Sequence, residues 1–410
     1  MGAFSGFNEK RKRSEQTPTV NAHYTKLARK SAFIRYLCLV LVVLFAVYSL
    51  SFHSNEITIE NFRYMLKFIN LGDDAATPLG TSLAFDGSSG NRGLIYKGDL
   101  AILNENGLSV TGWDGEIILK ETFSLDHPKI DQNETNLFCY DLGGKELKIF
   151  NSYSLLNEIS FDYPITGFAS SKSGSFAVIS SAKGYRSAIF IYDKQFLPIY
   201  TSYFGDKYAY FADISDDGKE FLAASQYSEG GNLVTKLSKF RIDQDGALFE
   251  EKFIGEIPLG IYYTENGYCL ITDIGMRNYD NENNIVSKVL FENKKLLSAA
   301  RLKNRALITY ATEGLSGGTE IVIYHNDGSM EFSKKFDRSV SDVAICGDIL
   351  YSLMPGELSV CDMVNGGDET FEILTSYSNL VEDGERVILF SENHAEYFEK
   401  ENFVLKEEQE

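Results

Sequence analysis

The chain is poor in the residues that most often carry chemistry. Of 410 residues one is Trp, five are Cys, five are His and seven are Pro. Cys38, Cys139, Cys269, Cys346 and Cys361 show no C-x-x-C or other metal-ligand spacing, and an extracellular disulfide scaffold would hold more. The last four each sit in an apolar run, such as Leu137-Phe-Cys139-Tyr, which fits a small buried hydrophobe. The histidines at 23, 53, 127, 325 and 394 are scattered, so neither a zinc centre nor any other metal site is expected. Positive charge is short as well: 39 Lys plus Arg face 58 Asp plus Glu, net -19, a surface that phosphate would repel, which argues against a nucleic-acid partner. Few prolines beside 13% aromatic and 44% apolar residues exclude collagen-like and disordered classes and leave a folded chain with β-forming composition.

What charge there is divides unevenly. Residues 1–35 carry eight basic side chains against two acidic ones, while the remainder is strongly acidic. Twenty uncharged residues separate Arg35 from Glu56, about the length of a helix that crosses a ~30 Å hydrocarbon layer. These features predict a basic cytoplasmic tail over 1–35, a single-pass signal anchor over 36–55 and, by the positive-inside rule, a C-terminal domain outside the cell membrane. Residues 56–79 have the pattern of a short amphipathic stalk, with Thr58 as its N-cap. An acidic tail is expected over 401–410.

Between these, residues 80–400 repeat. A small-residue turn precedes a β-branched or aromatic run at Gly98, Gly174, Gly218, Gly267, Gly347 and Gly384, with glycine-free counterparts near Thr135 and Asn304. The mean period is about 41 residues, near that of propeller blades. A second register agrees: Trp113-Asp114, Phe150-Asn151, Tyr192-Asp193, Ile242-Asp243, Phe291-Glu292, Tyr324-His325 and Cys361-Asp362 form a degenerate Trp-Asp signature. In each, the large residue is suited to pack between blades and the polar one to cap the following turn. The fold class expected is an all-β propeller of eight four-stranded blades, with seven as the alternative count. Thr81-Ser-Leu-Ala-Phe85, a lone strand ahead of the first unit, is expected to complete the partial blade at 385–399 and close the ring.

The stretches Ile165-Thr-Gly-Phe-Ala-Ser-Ser-Lys-Ser-Gly-Ser-Phe-Ala-Val-Ile179 and Lys183-Gly-Tyr-Arg-Ser-Ala-Ile189, within this order of segments, resemble an uncharacterised bacterial family of membrane-anchored propellers of the WD40-like and quinoprotein-like group. The resemblance implies a fold and an envelope location, and no activity, substrate or catalytic residue. Quinoprotein propellers stack their cofactor on Trp; only Trp113 exists here, and no adjacent Cys pair, so no cofactor is expected. Gly314-Leu-Ser316-Gly-Gly318 matches G-x-S-x-G but lies between two strands, where a nucleophile elbow needs a strand and then a helix. Asp213-Ile-Ser215-Asp-Asp217-Gly218 imitates half a calcium loop but has Ala224 in place of the bidentate Glu, which makes it a turn.

With no catalytic constellation, the expected function is a non-catalytic binding or scaffold module for a protein, peptide or envelope polymer. A hydrolase or lyase with acids in the channel is the alternative from another class. The candidate binding residues are Tyr185, Arg186, Tyr227, Met276, Arg277 and Tyr279, in four stretches read as long loops on one face: 182–186, 226–231, 274–284 and 312–318. Loops on a rigid scaffold carry binding, and Tyr, Arg and Met are favoured at interfaces.

Overall fold

The computed structural model describes residues 30–41, 43, 82–85, 91–291, 294–302, 305–312, 317–373, 376–384 and 386–405. The chain divides into two units, Met1–Asp73 and Asp74–Glu410. In the first, residues 30–41 form a helix that includes Lys30 and Arg35. At 1.5 Å per residue this described stretch covers about 18 Å. Among the described residues no helix is long and apolar enough to cross a membrane. The expected localisation is corrected on this ground: no membrane anchor and no extracellular placement are assigned. Most of the expected span over 36–55, and the stalk over 56–79, lie outside the described residues.

The second unit is a ring of eight antiparallel sheets. Blades 1 to 7 occupy 92–122, 128–160, 167–204, 208–254, 258–290, 295–336 and 342–372, each with four strands in sequence order. Blade 8 takes its first three strands from 379–397 and its fourth from Ser82–Ala84, where Leu83 pairs with Ala395. The chain's C-terminal part does not form a free tail as far as Leu405. Val404–Leu405 adds a fifth strand to the outer edge of blade 7, and Phe398 packs on Phe371 and Phe403.

Both faces of each blade are buried, and period-two alternation decides which neighbour each residue faces. On the second strand of blade 1, Leu100 and Ile102 join the core shared with blade 8. Ala101 and Leu103 join the core shared with blade 2. The same division recurs around the ring and produces eight hydrophobic clusters, one at each joint. The second and third strands therefore read as near-continuous apolar runs. The first strands line the centre, and the fourth face outwards, with charged residues in blades 1, 2 and 4 to 7.

The turn glycines have a common physical reason. Gly98, Gly174, Gly218, Gly267, Gly347 and Gly384 all adopt positive φ, between 60° and 157°, where L side chains are disfavoured. At Gly267 the constraint is also steric, since a Cβ would lie 1.8 Å from the Tyr279 carbonyl oxygen. The Trp-Asp-like positions behave as their chemistry suggests. Phe150 and Tyr192 are buried in joints, while Asn151 Oδ1 accepts the N–H groups of Tyr153 and Ser154 and Asp193 Oδ1 those of Gln195 and Leu197. Blade 5 needs a correction. Its signature is Tyr279-Asp280 at the end of the third strand, and Phe291 follows the fourth.

Ring closure is directly testable, because Leu83 is buried in the joint between blades 8 and 1 while Leu405 is exposed on the C-terminal strand. Leu83→Asp should lower unfolding stability by about 3 kcal/mol or more, the cost of a charge in an apolar joint. Leu405→Asp should change it little. Urea denaturation of both variants decides; an unshifted midpoint for Leu83→Asp would remove the strand's closing role.

Candidate functional site

Because strands alternate in direction, the turns between second and third strands share one end of the ring with the blade-to-blade connections. The other turns share the opposite end. The six residues singled out by sequence separate into two groups. Tyr185 follows the two-residue turn Lys183-Gly184 in blade 3, is 45% exposed, and packs its ring at a tilt against Tyr203 at 4.7 Å. Arg186 donates from Nη1 to the Tyr208 hydroxyl at 2.7 Å. Half-buried Tyr227 lies between the ammonium groups of Lys207 and Lys252, 5.3 and 5.7 Å from its ring centre, and donates to Glu229 at 2.9 Å. All three stand at the connection end.

Met276, Arg277 and Tyr279 do not lie in a loop. They belong to the third strand of blade 5, Gly275–Asp280, and are 1%, 5% and 2% exposed. Arg277 forms a bidentate pair with Glu256 at 2.7 and 2.5 Å and lies over the Phe253 ring. Thr272 donates a further hydrogen bond to Glu256 at 2.7 Å. Burial pushes Glu256 up, but these hydrogen bonds and the guanidinium charge outweigh it and hold the carboxyl below its ordinary range. Tyr279 stacks on Tyr268 at 4.8 Å and donates to Glu251. These groups pin blade 5 to blade 4 and are not available to a partner. Nor are the stretches at 182–186 and 226–231 long loops: they are two-residue turns joining strands of 7 to 10 residues. Part of the fourth stretch, 313–316, lies outside the described residues.

Sequence reasoning missed the apolar surface around the first group. Tyr203, Tyr208, Tyr210, Ile254, Ile257 and Leu290 are all exposed, Ile254 to 70%. Among the described residues, the strongly exposed large apolar side chains at the connection end lie between the approach to blade 3 and the start of blade 6, apart from Val404 and Leu405 beside the outer strand of blade 7. The alternation Tyr208-Ala-Tyr210 was the available signal, since the small residue goes inward and the aromatic ones outward.

The opposite end has a polar cleft of about 930 Å³ reaching from blade 3 to blade 6. Its charges are paired: Lys172 with Asp216 at 2.8 Å, Lys219 with Asp217 at 3.3 Å and Lys239 with Glu220 at 3.1 Å. Asp213, in its wall, accepts the Tyr263 N–H from the next blade at 2.7 Å, and burial pushes its carboxyl up to about 6. Asp131 occupies the equivalent place in blade 2; it accepts from the Ser170 hydroxyl at 3.2 Å and is likewise raised by burial to about 6. Asp342 holds the Leu380 N–H of blade 8 in the same manner. Inner-strand acids thus clip one blade to the next. Among the described residues no three His, Cys, Asp or Glu side chains are grouped to hold a metal. The four ring cysteines are buried, and burial pushes the Cys269 thiol up to about 12.

Residues 81–399, which contain all eight blades, match the profile of a family described as "Family of unknown function (DUF5711)". The chain belongs to the DUF5711 family. No curated protein matches it. The DUF5711 ring is similar to the C-terminal WD40 domain of Sif2, with a TM-score of 0.55 at 14% identity over 78% of this chain and 98% of that one. A second similar structure is the Neurospora crassa Pan2 WD40 domain, with a TM-score of 0.45 at 11% identity over 66% and 87%. At such identity the first likeness establishes a WD40-like propeller fold for DUF5711 and nothing finer.

The clips predict a pH effect. Folded Asp213 keeps its proton to about pH 6, against 3.8 ordinarily. The stability this raised pKa supplies is fully present below the unfolded value and is lost as pH rises through the folded one. Asp213→Asn keeps an oxygen for the Tyr263 N–H and cannot ionise. In calorimetry it should unfold at higher temperature than the native DUF5711 chain near pH ~7.5, and the gap should vanish near pH ~3.5. A gap of one size at both pH values would contradict the assignment.

Proposed function

We propose that this propeller is a non-catalytic binding module that docks a partner protein across the connection end of blades 3 to 6. The observation that carries this is the one-sided distribution of exposed aromatic and aliphatic residues. Contiguous apolar patches on a folded surface mark interaction sites. Tyr185, Tyr208 and Tyr210 combine a planar apolar body with a hydroxyl, so each can lose water on docking and still satisfy a hydrogen bond. Arg186, Lys207 and Lys252 are already engaged with Tyr208 or Tyr227, an arrangement of ordered cations and rings suited to the border of an interface. The alternative of a hydrolase or lyase needs acids free to act in the channel, and Asp131, Asp213 and Asp342 are instead engaged in holding neighbouring blades.

The test is site-directed photo-cross-linking, with a photoreactive residue placed at Tyr210 or Ile257 and, as control, at Val286, exposed at the opposite end of blade 5. Discrete protein adducts are expected from the first two positions only. Once a partner is in hand, Tyr208→Ser should weaken binding by about 2 kcal/mol, about thirtyfold in Kd, as truncation at a hot spot does. Equal adducts from Val286, or binding indifferent to Tyr208→Ser, would overturn the proposal.

A further inference from the structure

The outer strands of the blades are sheet edges, with backbone N–H and C=O groups available to another strand. Most are defended by charge. Blade 1 carries Lys120 and Glu121 on its outer strand, blade 2 Glu158, blade 4 Glu250, Glu251 and Lys252, blade 5 Lys288 and blade 6 Glu331, Lys334 and Lys335. Blade 7 is covered by Val404–Leu405, and the outer strand of blade 8 has only three residues. Blade 3 is different. Its outer strand Pro198–Phe204, Pro-Ile-Tyr-Thr-Ser-Tyr-Phe, has seven residues and no charge. Tyr200 and Phe204 face the joint with blade 4, leaving Ile199, Thr201 and Tyr203 on the other face. Ile199 and Tyr203 are 41% and 53% exposed, and Leu197 just ahead of the strand 60%.

The geometry points to a second copy of this chain as the occupant of that edge, paired antiparallel about a twofold axis near Thr201. Such an axis sets a residue lying on it opposite its own copy, so a Glu or Lys at the axis opposes a like charge. Among the full-length exposed edges only that of blade 3 carries no charge, so it can meet its own copy in any register without like charges opposing, which matters in a chain of net charge -19. Centred on Thr201, Ile199 faces the partner copy's tyrosine at position 203, an aromatic against a β-branched residue, a favourable cross-strand pair. The contact joins two four-stranded blades into one continuous eight-stranded sheet. That these blades accept an added strand is already seen at blade 7. The inference does not rest on the proposed docking arc: the edge lies on the outer perimeter, and its test uses no partner protein.

The unit Asp74–Glu410 contains all eight joints and both ends of the closing blade, and serves for the measurement. Sedimentation velocity from about 1 to about 200 μM should show a concentration-dependent shift from monomer towards dimer, as a small interface gives. Thr201→Lys should weaken the association at least about tenfold by opposing like charges at the axis. Ile199→Lys, at a more exposed side chain, serves as a second variant with less demand on folding. Circular dichroism and thermal midpoints of both should match the native unit. A native unit that stays monomeric throughout, or a dimer that both variants retain, would overturn the inference.

Discussion

Every element of the ring depends on the joint between neighbouring blades. A single four-stranded sheet of this composition would expose an apolar face on each side, and alternation sends successive residues to opposite faces, so no blade is satisfied by one neighbour. Phe138 serves the joint with blade 3 while Leu137 and Cys139 on the same strand serve that with blade 1. Eight joints in a closed circle meet this requirement for every blade. The polar chemistry that remains is confined to the two ends and the perimeter, and where acids enter the interior, as at Asp213 and Asp342, they accept N–H groups across a joint. Arg277 and Glu256 do the same at the connection end with a full ion pair.

How much of this was legible in sequence follows from how local each demand is. A turn that needs positive φ selects glycine by itself, so Gly98, Gly174 and their counterparts marked the blades without any knowledge of packing. The acid or amide after the third strand of blades 1, 2, 3, 5 and 7 bonds to N–H groups two to four residues on, which is local too. The closing strand Ser82–Ala84 was legible for a different reason: a lone strand and an incomplete blade imply each other.

The site was legible only in part. Residues 274–284 are rich in Asn, Asp and Gly, and nothing local distinguishes a polar strand from a loop there. Arg277 and Tyr279 are polar residues in an interior whose partners, Glu256 and Glu251, come from beyond the turn, and only the tertiary structure brings them together. Tyr185, Arg186 and Tyr227 are on the surface, but on long strands beside tight turns. The apolar surface beside them belongs to strand ends at Tyr203, Tyr208 and Ile254, where exposure depends on what the neighbouring blades cover.

The manner of closure imposes an order on synthesis. The strand Ser82–Ala84 emerges among the first residues of the ring, and its partner His394–Tyr397 among the last, about 310 residues later. At ribosomal rates of roughly 5 to 20 residues per second, the early strand waits about 15 to 60 s for a mate. Throughout that interval blade 1 has one face without a neighbour, with Leu100, Ile102 and Trp113 uncovered. The growing ring is therefore an arc with two adhesive ends, and a chain that stops short never loses them. Completion of the ring is checked by the fold itself, because only a chain that has reached His394–Tyr397 can cover the open face of blade 1.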